Sequence, residues 1–276
     1  ERLWFLDQLQ GSLEYHIPVV LRLEGDLDID ALQDALKMIL SRHEVLRTIY
    51  KQEDGIGYQE ILPVQDWNIE INTIEDASLL DYKIQDFASL AFDLSKDYMF
   101  RAALYDLGSQ RYVLAGIFHH ISSDGWSDNI LIEEFVEIYQ ALKTDRSPIL
   151  KPLPIQYADY ALWQREHLNG ELLEGQLSYW KNQLSGVAPL LLPTDYTRPA
   201  IQSTAGATLS FELGIEVSNK LERICKKQGS TMFMVLLSAF KVLLYRYSGQ
   251  VDICVGTPIA NRTQEELEGL IGFFVN

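Results

Sequence analysis

Several short apolar segments of this 276-residue chain have the pattern of β-strands. Every second residue is apolar in residues 19–23, which predicts a strand with one buried face. Residues 112–118 form an unbroken apolar run without charge, which predicts a strand that is buried on both faces. The runs on either side of residues 53–57, and those on either side of Gly108, predict two β-hairpins.

Helical spacing of apolar residues occurs between these strands. Asp28 or Asp30 is expected to cap a helix whose apolar face contains Leu32, Ala35, Leu36 and Ile39. After the apolar strand, Ser127 or Asp128 is expected to cap a second helix that extends to about Leu142. Further helical patterns cover residues 79–91, residues 157–184, the stretch around 221–225, and residues 231–247.

A proline-rich stretch divides the chain into two parts. Residues 188–200 contain three prolines and no periodicity, which favours a linker between two lobes. Residues 1–187 are then the predicted first lobe and residues 201–276 the second, with strands expected at residues 209–213 and 251–255. Because strands and helices alternate in both parts, the fold class is α/β.

Composition and charge exclude several classes of protein. The formal net charge of −16 argues against nonspecific binding to nucleic acid or to an anionic membrane. Two cysteines, Cys225 and Cys254, are too few for a disulfide framework or a zinc site, and free thiols fit a reducing cytoplasm. No apolar run approaches the ~20 residues of a membrane span. The chain begins at Glu1 without a Met, which suggests part of a longer protein.

The candidate chemistry lies in the turn between the apolar strand and the helix after it, His119-His120-Ile121-Ser122-Ser123-Asp124-Gly125-Trp126-Ser127. Adjacent residues of an extended chain point to opposite faces, so one of the two histidines can face a given cavity. An imidazole with an unperturbed pKa of ~6.5 can accept a proton near neutrality. The pattern does not predict a metal site, because adjacent histidines diverge and no Cys or His cluster lies nearby. The residues alone equally allow two core histidines and an ordinary turn.

The spacing His120-x-x-x-Asp124-Gly125 resembles the signature of acyltransferases that use thioester donors. The doubled histidine and the following Trp126-Ser127 resemble, more specifically, the condensation domains of nonribosomal peptide synthetases. Four further stretches are similar to motifs of that family in the same order. They are Arg2-Leu3-Trp4-Phe5-Leu6, the R-H-E-x-L-R-T string at residues 42–48, the Y-x-D-Y-A-x-W-Q string at residues 157–164, and residues 256–262 with 271–276.

The resemblance implies a two-lobed α/β fold similar to chloramphenicol acetyltransferase, with the first lobe complete and the second partial. It implies that an upstream acyl or peptidyl thioester and a downstream aminoacyl thioester are joined in an amide bond. Both thioesters would be carried on the 4′-phosphopantetheine arms of peptidyl carrier domains, with an adenylation domain adjacent in the same polypeptide. The chain itself would bind no cofactor and no metal, and the protein would be cytoplasmic.

Roles of single residues also follow from the resemblance. His120 corresponds to the histidine beside the acceptor amine, as a base or as a group that orients the amine. Asp124 corresponds to a structural acid that pairs with an arginine across the lobes, with Arg262 as the first candidate and Arg47 as the second. Gly125 would keep the acceptor's entrance open. His119 is expected to be a packed partner, and Trp126 directly after Gly125 disfavours an epimerase.

Two alternatives remain open on the sequence alone. A coenzyme A-dependent acyltransferase of the same superfamily would share the H-x-x-x-D-G spacing but would not predict the other motifs. A truncated domain could instead hold a carrier without catalysis. The 276 residues by themselves are expected to be inactive. A heterocyclising relative is disfavoured, because His119 and His120 stand where such domains carry aspartates.

Overall fold

A computed structural model describes residues 2–65, 67–201 and 206–276, which divide into two compact units. The first unit comprises Glu1–Leu168 and Pro258–Asn276, and the second comprises Asn169–Thr257. The lobe boundaries inferred from the sequence remain a prediction. Residues 202–205, at the start of the predicted second lobe, lie outside the described residues.

The first unit contains a mixed sheet and its helices. The helices are α1 (Arg2–Gln10), α2 (Ile29–Arg42), α3 (Leu80–Ala88), α4 (Ser127–Lys143) and α5 (Tyr157–His167). The strands are β1 (His16–Glu24), β2 (Thr48–Glu53), β3 (Ile56–Ile61), β4 (Glu70–Thr73), β5 (Phe100–Asp106) and β6 (Arg111–His119). In the second unit are α6 (Gly170–Gln183), α7 (Ile215–Gln228) and α8 (Met232–Ser248). The short α9 (Glu265–Glu268) belongs to the first unit.

The main sheet has the strand order β1-β6-β5-β4, in which the β4–β5 pair is parallel and the other pairs are antiparallel. Strands β2 and β3 form a separate hairpin. The structure agrees with the sequence pattern for the two hairpins, β2–β3 and β5–β6. It also agrees for the half-buried β1 and for β6, which is buried on both faces. The strand β4, with only four residues, is an addition that the pattern did not predict.

Apolar side chains cover both faces of β6, because its residues alternate between two core clusters. One cluster joins Leu114 and Phe118 to the apolar faces of α2 and α4. The other joins Val113, Ala115 and Ile117 to residues of α1 and α3. Burial on both faces holds the carboxyl end of β6 rigidly, and the candidate turn begins there.

Helix termini in both units follow local sequence signals. Asp28 caps α2 by accepting a hydrogen bond from the Ala31 N–H group. Thr231 does the same for α8, which ends at Gly249 with φ of 69°. The helical pattern of residues 157–184 forms two helices instead of one, because Asn169 is extended and Gly170 has φ of 51°.

Two predicted strands are absent from the described part of the second unit. Neither residues 209–213 nor residues 251–255 form ladder hydrogen bonds, although both carry strand-like sequence. An apolar run becomes a strand only when another strand pairs with it, and no partner strand lies among the described residues. Leu209, Phe211 and Val251 are accordingly exposed.

No single helix among the described residues is both long and apolar enough to cross a membrane. Helices α7 and α8 together meet the criteria of length and composition, but they are bent by 108° where they meet.

Candidate active site

Much of the turn that follows β6 is buried, although most of its residues are polar. Ser122, Ser123, Asp124 and Ser127 are each at most 2% exposed. The helix α4 begins at Ser127, so its N-cap is Trp126 and not Ser127 or Asp128 as expected. Asp124 replaces the cap, because its Oδ1 accepts the Ser127 N–H at 3.1 Å. A side chain of the turn therefore fixes the start of α4.

The Asp124 carboxylate belongs to a side chain that is 2% exposed, and it has donors at both oxygens. Oδ1 accepts hydrogen bonds from Ser127 Oγ at 2.8 Å and from Arg262 Nη2 at 3.0 Å. Oδ2 accepts the Phe274 N–H at 3.0 Å. A buried charge needs such partners to offset the loss of water. These contacts join the turn to the start of α4, to Arg262 and to the backbone of Phe274.

The Arg262 guanidinium is as buried as the carboxylate it binds. Its Nη1 donates to the carbonyl oxygens of Leu267 and Leu270 at 2.6 and 2.7 Å, and its central carbon lies 4.1 Å from the centre of the Phe274 ring. Burial lowers the pKa of Arg262, and the Asp124 charge opposes that change. Both members of this pair lie in the first compact unit. The structure thus brings together Asp124 and the first candidate arginine.

His120 has a defined tautomer. Its Nδ1 lies 2.7 Å from the carbonyl oxygen of Ser123. Because a carbonyl oxygen can only accept, Nδ1 carries the proton and Nε2 of the neutral ring has a free lone pair. No hydrogen bond to Nε2 is formed by the described residues. His120 can therefore accept a proton or an N–H hydrogen bond at Nε2.

His119 occupies a different environment, with 0% exposure. Its Nδ1 accepts the Ile121 N–H at 3.1 Å, so Nε2 carries the proton and donates to Ser12 Oγ at 2.8 Å. Burial, and then the nearby charges of His16 and His120, lower the pKa of His119 to about 4. The ring is therefore neutral near pH 7 and has both nitrogens satisfied by protein groups.

Residues 271–276, here called the strap, run along the turn. Ser127 Oγ accepts the Gly272 N–H at 3.1 Å, and Tyr157 donates its hydroxyl to the Phe273 carbonyl at 2.7 Å. Ile259 and Asn276 exchange two backbone hydrogen bonds, which tie the strap to the segment before Arg262. The strap therefore binds the same turn residues that hold His120 and Asp124 in place.

A comparison with protein families settles which family this arrangement belongs to. The family model for the condensation domain matches residues 1–276, the whole of this chain. The chain belongs to the condensation domain family.

Relatives of this condensation domain are parts of very large synthetases. The chain is 47% identical over 285 residues to one of the linear gramicidin synthase proteins of Brevibacillus parabrevis, a match that covers 100% of this chain and 4% of that protein. It is 41% identical to a beauvericin nonribosomal cyclodepsipeptide synthetase of Gibberella fujikuroi, with 100% of this chain and 9% of that synthetase covered. The chain thus spans less than a tenth of the length of these relatives.

Solved structures confirm the fold. The X-domain from teicoplanin biosynthesis matches with a TM-score of 0.88 at 30% identity, over 99% of this chain and 62% of that chain. The first condensation domain of the calcium-dependent antibiotic synthetase, in complex with a substrate analogue, matches with a TM-score of 0.84 at 20% identity, over 100% of this chain and 66% of that chain. The α/β fold similar to chloramphenicol acetyltransferase is therefore the fold of this chain.

Two further predicted residues of the condensation domain lie at the surface of the turn. Gly125 is exposed, and a Cβ atom placed on it would have no neighbour within 4 Å. Trp126 is 46% exposed and donates its Nε1–H to the Glu268 carbonyl at 3.1 Å. Open space at Gly125 is compatible with close approach of a substrate, whereas Trp126 ties the turn to α9.

Arg47 does not take part in the site. Its guanidinium donates to the carbonyl oxygens of Leu40 and Leu62 at 3.0 and 2.8 Å. These contacts satisfy backbone acceptors near the end of α2 and in the loop after β3. In the structure the arginine that binds Asp124 is Arg262, and Arg47 binds backbone carbonyl groups instead.

A buried network was not anticipated from the sequence. His43 donates from Nε2 to Glu134 Oε2 at 2.8 Å and accepts the Ile271 N–H at Nδ1, 3.3 Å away. Arg42 completes the network with Nε 2.9 Å from the other Glu134 oxygen. Burial raises the pKa of Glu134, but His43 and Arg42 together bring it below its usual value. The network links the end of α2 and the middle of α4 to the beginning of the strap.

We found no metal centre in the part of the chain that the structure describes. No group of three or more His, Cys, Asp or Glu side chains there is placed to hold a metal ion. Cys225 and Cys254 are both free thiols.

A methyl group at Gly272 is expected to displace the strap. A Cβ atom there would overlap the Tyr157 ring and would lie 2.6 Å from Cε2 of Phe274, closer than real Cβ contacts. We expect Gly272→Ala to lower local stability by about 1–3 kcal/mol. Hydrogen exchange at residues 271–276 of the intact protein measures this change.

The matched control is Gly175→Ala in α6, where a Cβ atom would have no neighbour within 4 Å. We expect that variant to exchange like the unchanged protein. If the strap of Gly272→Ala were as well protected from hydrogen exchange as in the wild type, the Tyr157 and Phe274 rings could move aside without loss of stability, and the expectation would be wrong.

Proposed function

We propose that this chain contributes the His120 site of a condensation domain that forms an amide bond between two carrier-bound thioesters. The upstream thioester carries an acyl or peptidyl group, and the downstream thioester carries an aminoacyl group. The observation that carries the proposal is the His120 imidazole, whose Nε2 lone pair is free while Nδ1 is bound to the Ser123 carbonyl. Membership of the condensation domain family supports carrier-bound thioesters as the two substrates.

The reaction needs little basicity from the protein. An α-amino group has a pKa of ~7.7–8, so a substantial fraction is neutral near pH 7. Its nitrogen attacks the thioester carbonyl, the C–N bond forms, and the C–S bond then breaks to release the donor's thiol. His120 Nε2 accepts the amine's N–H hydrogen bond and takes its proton as the C–N bond forms. His120 then passes the proton to the departing sulfur, which leaves as a thiol.

Asp124 and Arg262 act through position in this proposal. Their ion pair and its bonds to Ser127 and Phe274 hold the turn on one side and the strap on the other. His120 is therefore already in place when the amine arrives. The same hydrogen bond in water would first require the two groups to be brought together and oriented. Gly125 leaves space beside the turn for the acceptor.

The proposed partners are an upstream and a downstream peptidyl carrier domain, each with a 4′-phosphopantetheine arm. That arm arrives with the substrates and is not a cofactor held by this chain. An adenylation domain in the same polypeptide would load the acceptor carrier, and we expect the protein to work in the cytoplasm. The much greater length of the linear gramicidin synthase relatives, of which this chain covers 4% and 6%, supports the presence of further domains in the same polypeptide.

The proposal is tested by single-turnover transfer between two loaded carriers in the intact protein. Intact-mass spectrometry should show the donor's acyl group moving onto the acceptor carrier. Donor hydrolysis without any gain in acceptor mass would overturn the proposal. The 276-residue chain alone should give no product. Its second unit exposes large apolar side chains such as Leu209, Phe211 and Val251, and such exposure favours aggregation.

The same assay separates the rival acyltransferase. A coenzyme A-dependent enzyme would transfer an acyl group from acyl-coenzyme A as fast as from the carrier. We expect the carrier-bound donor to react much faster, because the protein part of the carrier adds binding contacts that coenzyme A lacks. Equal rates with both donors would favour the rival.

A further inference from the structure

The His120 ring has two fixed contacts, and the hydrogen bond to Ser123 is only the first. The second is the Phe273 side chain, whose ring centre lies 5.1 Å away at an angle of 83° between the ring planes. A single hydrogen bond at Nδ1 leaves the ring free to swing about the line joining Nδ1 to its acceptor. An edge-to-face contact with an aromatic ring removes that freedom.

The Phe273 ring is presented to His120 by backbone contacts on both sides of it. Gly272 N–H donates to Ser127 Oγ at 3.1 Å, and Phe274 N–H donates to Asp124 Oδ2 at 3.0 Å. The Phe273 carbonyl accepts the hydroxyl of Tyr157 at 2.7 Å. The backbone on both sides of Phe273 is therefore bound to Ser127 and Asp124 of the histidine turn, and Phe273 itself is bound to Tyr157 of α5.

We propose that Phe273 is a positioning residue that sets the direction of the His120 Nε2 lone pair. It touches the imidazole and not the reacting atoms, so its effect acts through His120. Misplacement of a catalytic group by about 1 Å can cost about 10²-fold in rate. The inference rests on the role proposed for His120, and it adds a requirement for an aromatic ring at position 273.

The variant that tests this is Phe273→Leu in the intact protein, which removes the ring and keeps an apolar side chain. We expect kcat for amide formation to fall by about 10- to 100-fold. The KM values for both loaded carriers should stay unchanged, because Phe273 orients His120 and not the carriers. Phe273→Tyr keeps the ring and should restore kcat to within about threefold of wild type.

Phe92→Leu is the matched control. Phe92 makes a comparable contact with His16, with ring centres 5.0 Å apart and an angle of 87°, and it is buried in the core cluster on one face of β6. Phe92 also lies edge-on to His119, with ring centres 5.9 Å apart, so the variant loses a buried aromatic ring beside the turn without removing a contact of the His120 ring. We expect it to lower stability and leave kcat unchanged.

A second readout does not need turnover. Diethyl pyrocarbonate acylates unprotonated imidazole nitrogen, and peptide mass spectrometry gives the rate for His120 separately. We expect Phe273→Leu to raise that rate several-fold and Phe92→Leu to leave it unchanged. If the wild-type protein made no amide, the proposed function would fail, while this readout would still test whether Phe273 restrains His120.

Two results would overturn the inference. One is a folded Phe273→Leu protein with wild-type kcat and a wild-type rate of His120 modification. The other is an equal loss of kcat in Phe273→Leu and Phe92→Leu, which would mean general softening of the core. If Phe273→Leu does not fold, Phe273→Met, which is unbranched and adapts to irregular space, gives the same comparison.

Discussion

Asp124→Asn and Arg262→Met are each expected to lower the free energy of unfolding of the first compact unit by about 3–5 kcal/mol. Each change leaves the other charge buried without its partner, since the two side chains are 2% and 1% exposed. The double variant should lose less than the sum of the two single losses, because it removes both charges together. Hydrogen exchange in β6 and α4 of the intact protein measures these free energies without interference from other domains.

The control for this cycle is an exposed ion pair that also involves α4. Glu137 binds Arg146 at 2.6 Å, and both side chains are accessible to water. Because exposed pairs contribute little to stability, Glu137→Gln should cause no measurable change. Simple additivity in the Asp124 and Arg262 cycle would contradict the account, since it would mean that the two charges do not stabilise one another.

His120→Ala is expected to slow amide formation by about 10²- to 10⁴-fold while the protein stays folded. The imidazole with its free Nε2 is lost, but its loss leaves Asp124, Arg262 and the strap intact. Single-turnover transfer between loaded carriers measures the rate, and circular dichroism checks the fold.

His119→Ala is the comparison, and its expected effect is on folding. Both nitrogens of His119 are bound inside the protein, and a pKa of about 4 keeps the ring neutral near pH 7. Its removal leaves the Ile121 N–H without a partner and takes the donor away from Ser12 Oγ, which keeps only its hydrogen bond to Asp7, and this destabilises the buried turn. The assignment would be reversed if folded His119→Ala lost transfer and His120→Ala kept it.

The elements that the sequence predicted well depend on local patterns. The strand β6 could be recognised because every residue of 113–119 is buried and the apolar run has no charge. The helix α2 could be recognised because its apolar residues repeat on one face and Asp28 caps it. Neither prediction needed knowledge of what the segment packs against.

The errors in predicting strands concern segments whose structure depends on contacts with distant parts of the chain. The strand β4 has four residues and forms by parallel pairing with β5, some 30 residues later. Residues 251–255 have strand-like sequence but no partner strand in the described part of the chain. Pairing between segments far apart in sequence decided these cases, and a local pattern contains no information about it.

Contacts between distant residues also limited what the sequence could predict about the candidate site. The ion pair joins residues 138 positions apart, so resemblance to a family, and not periodicity, pointed to Arg262. The His43–Glu134 pair spans 91 positions and was missed, although a signal existed. Glu134 lies on the same helical face as Leu131 and Ile138, where an acid needs a buried partner.

The most direct test of the account compares two acceptors in single-turnover transfer by the intact protein. One acceptor carrier bears an aminoacyl group with a free α-amine, and the other bears the same group with that amine acetylated. Intact-mass spectrometry follows the donor's acyl group. The account predicts that the free amine gains the acyl group, whereas the acetylated acceptor gains nothing. An equal gain in mass by both acceptors would contradict amide formation, because the acyl group would then be moving to a nucleophile other than the amine.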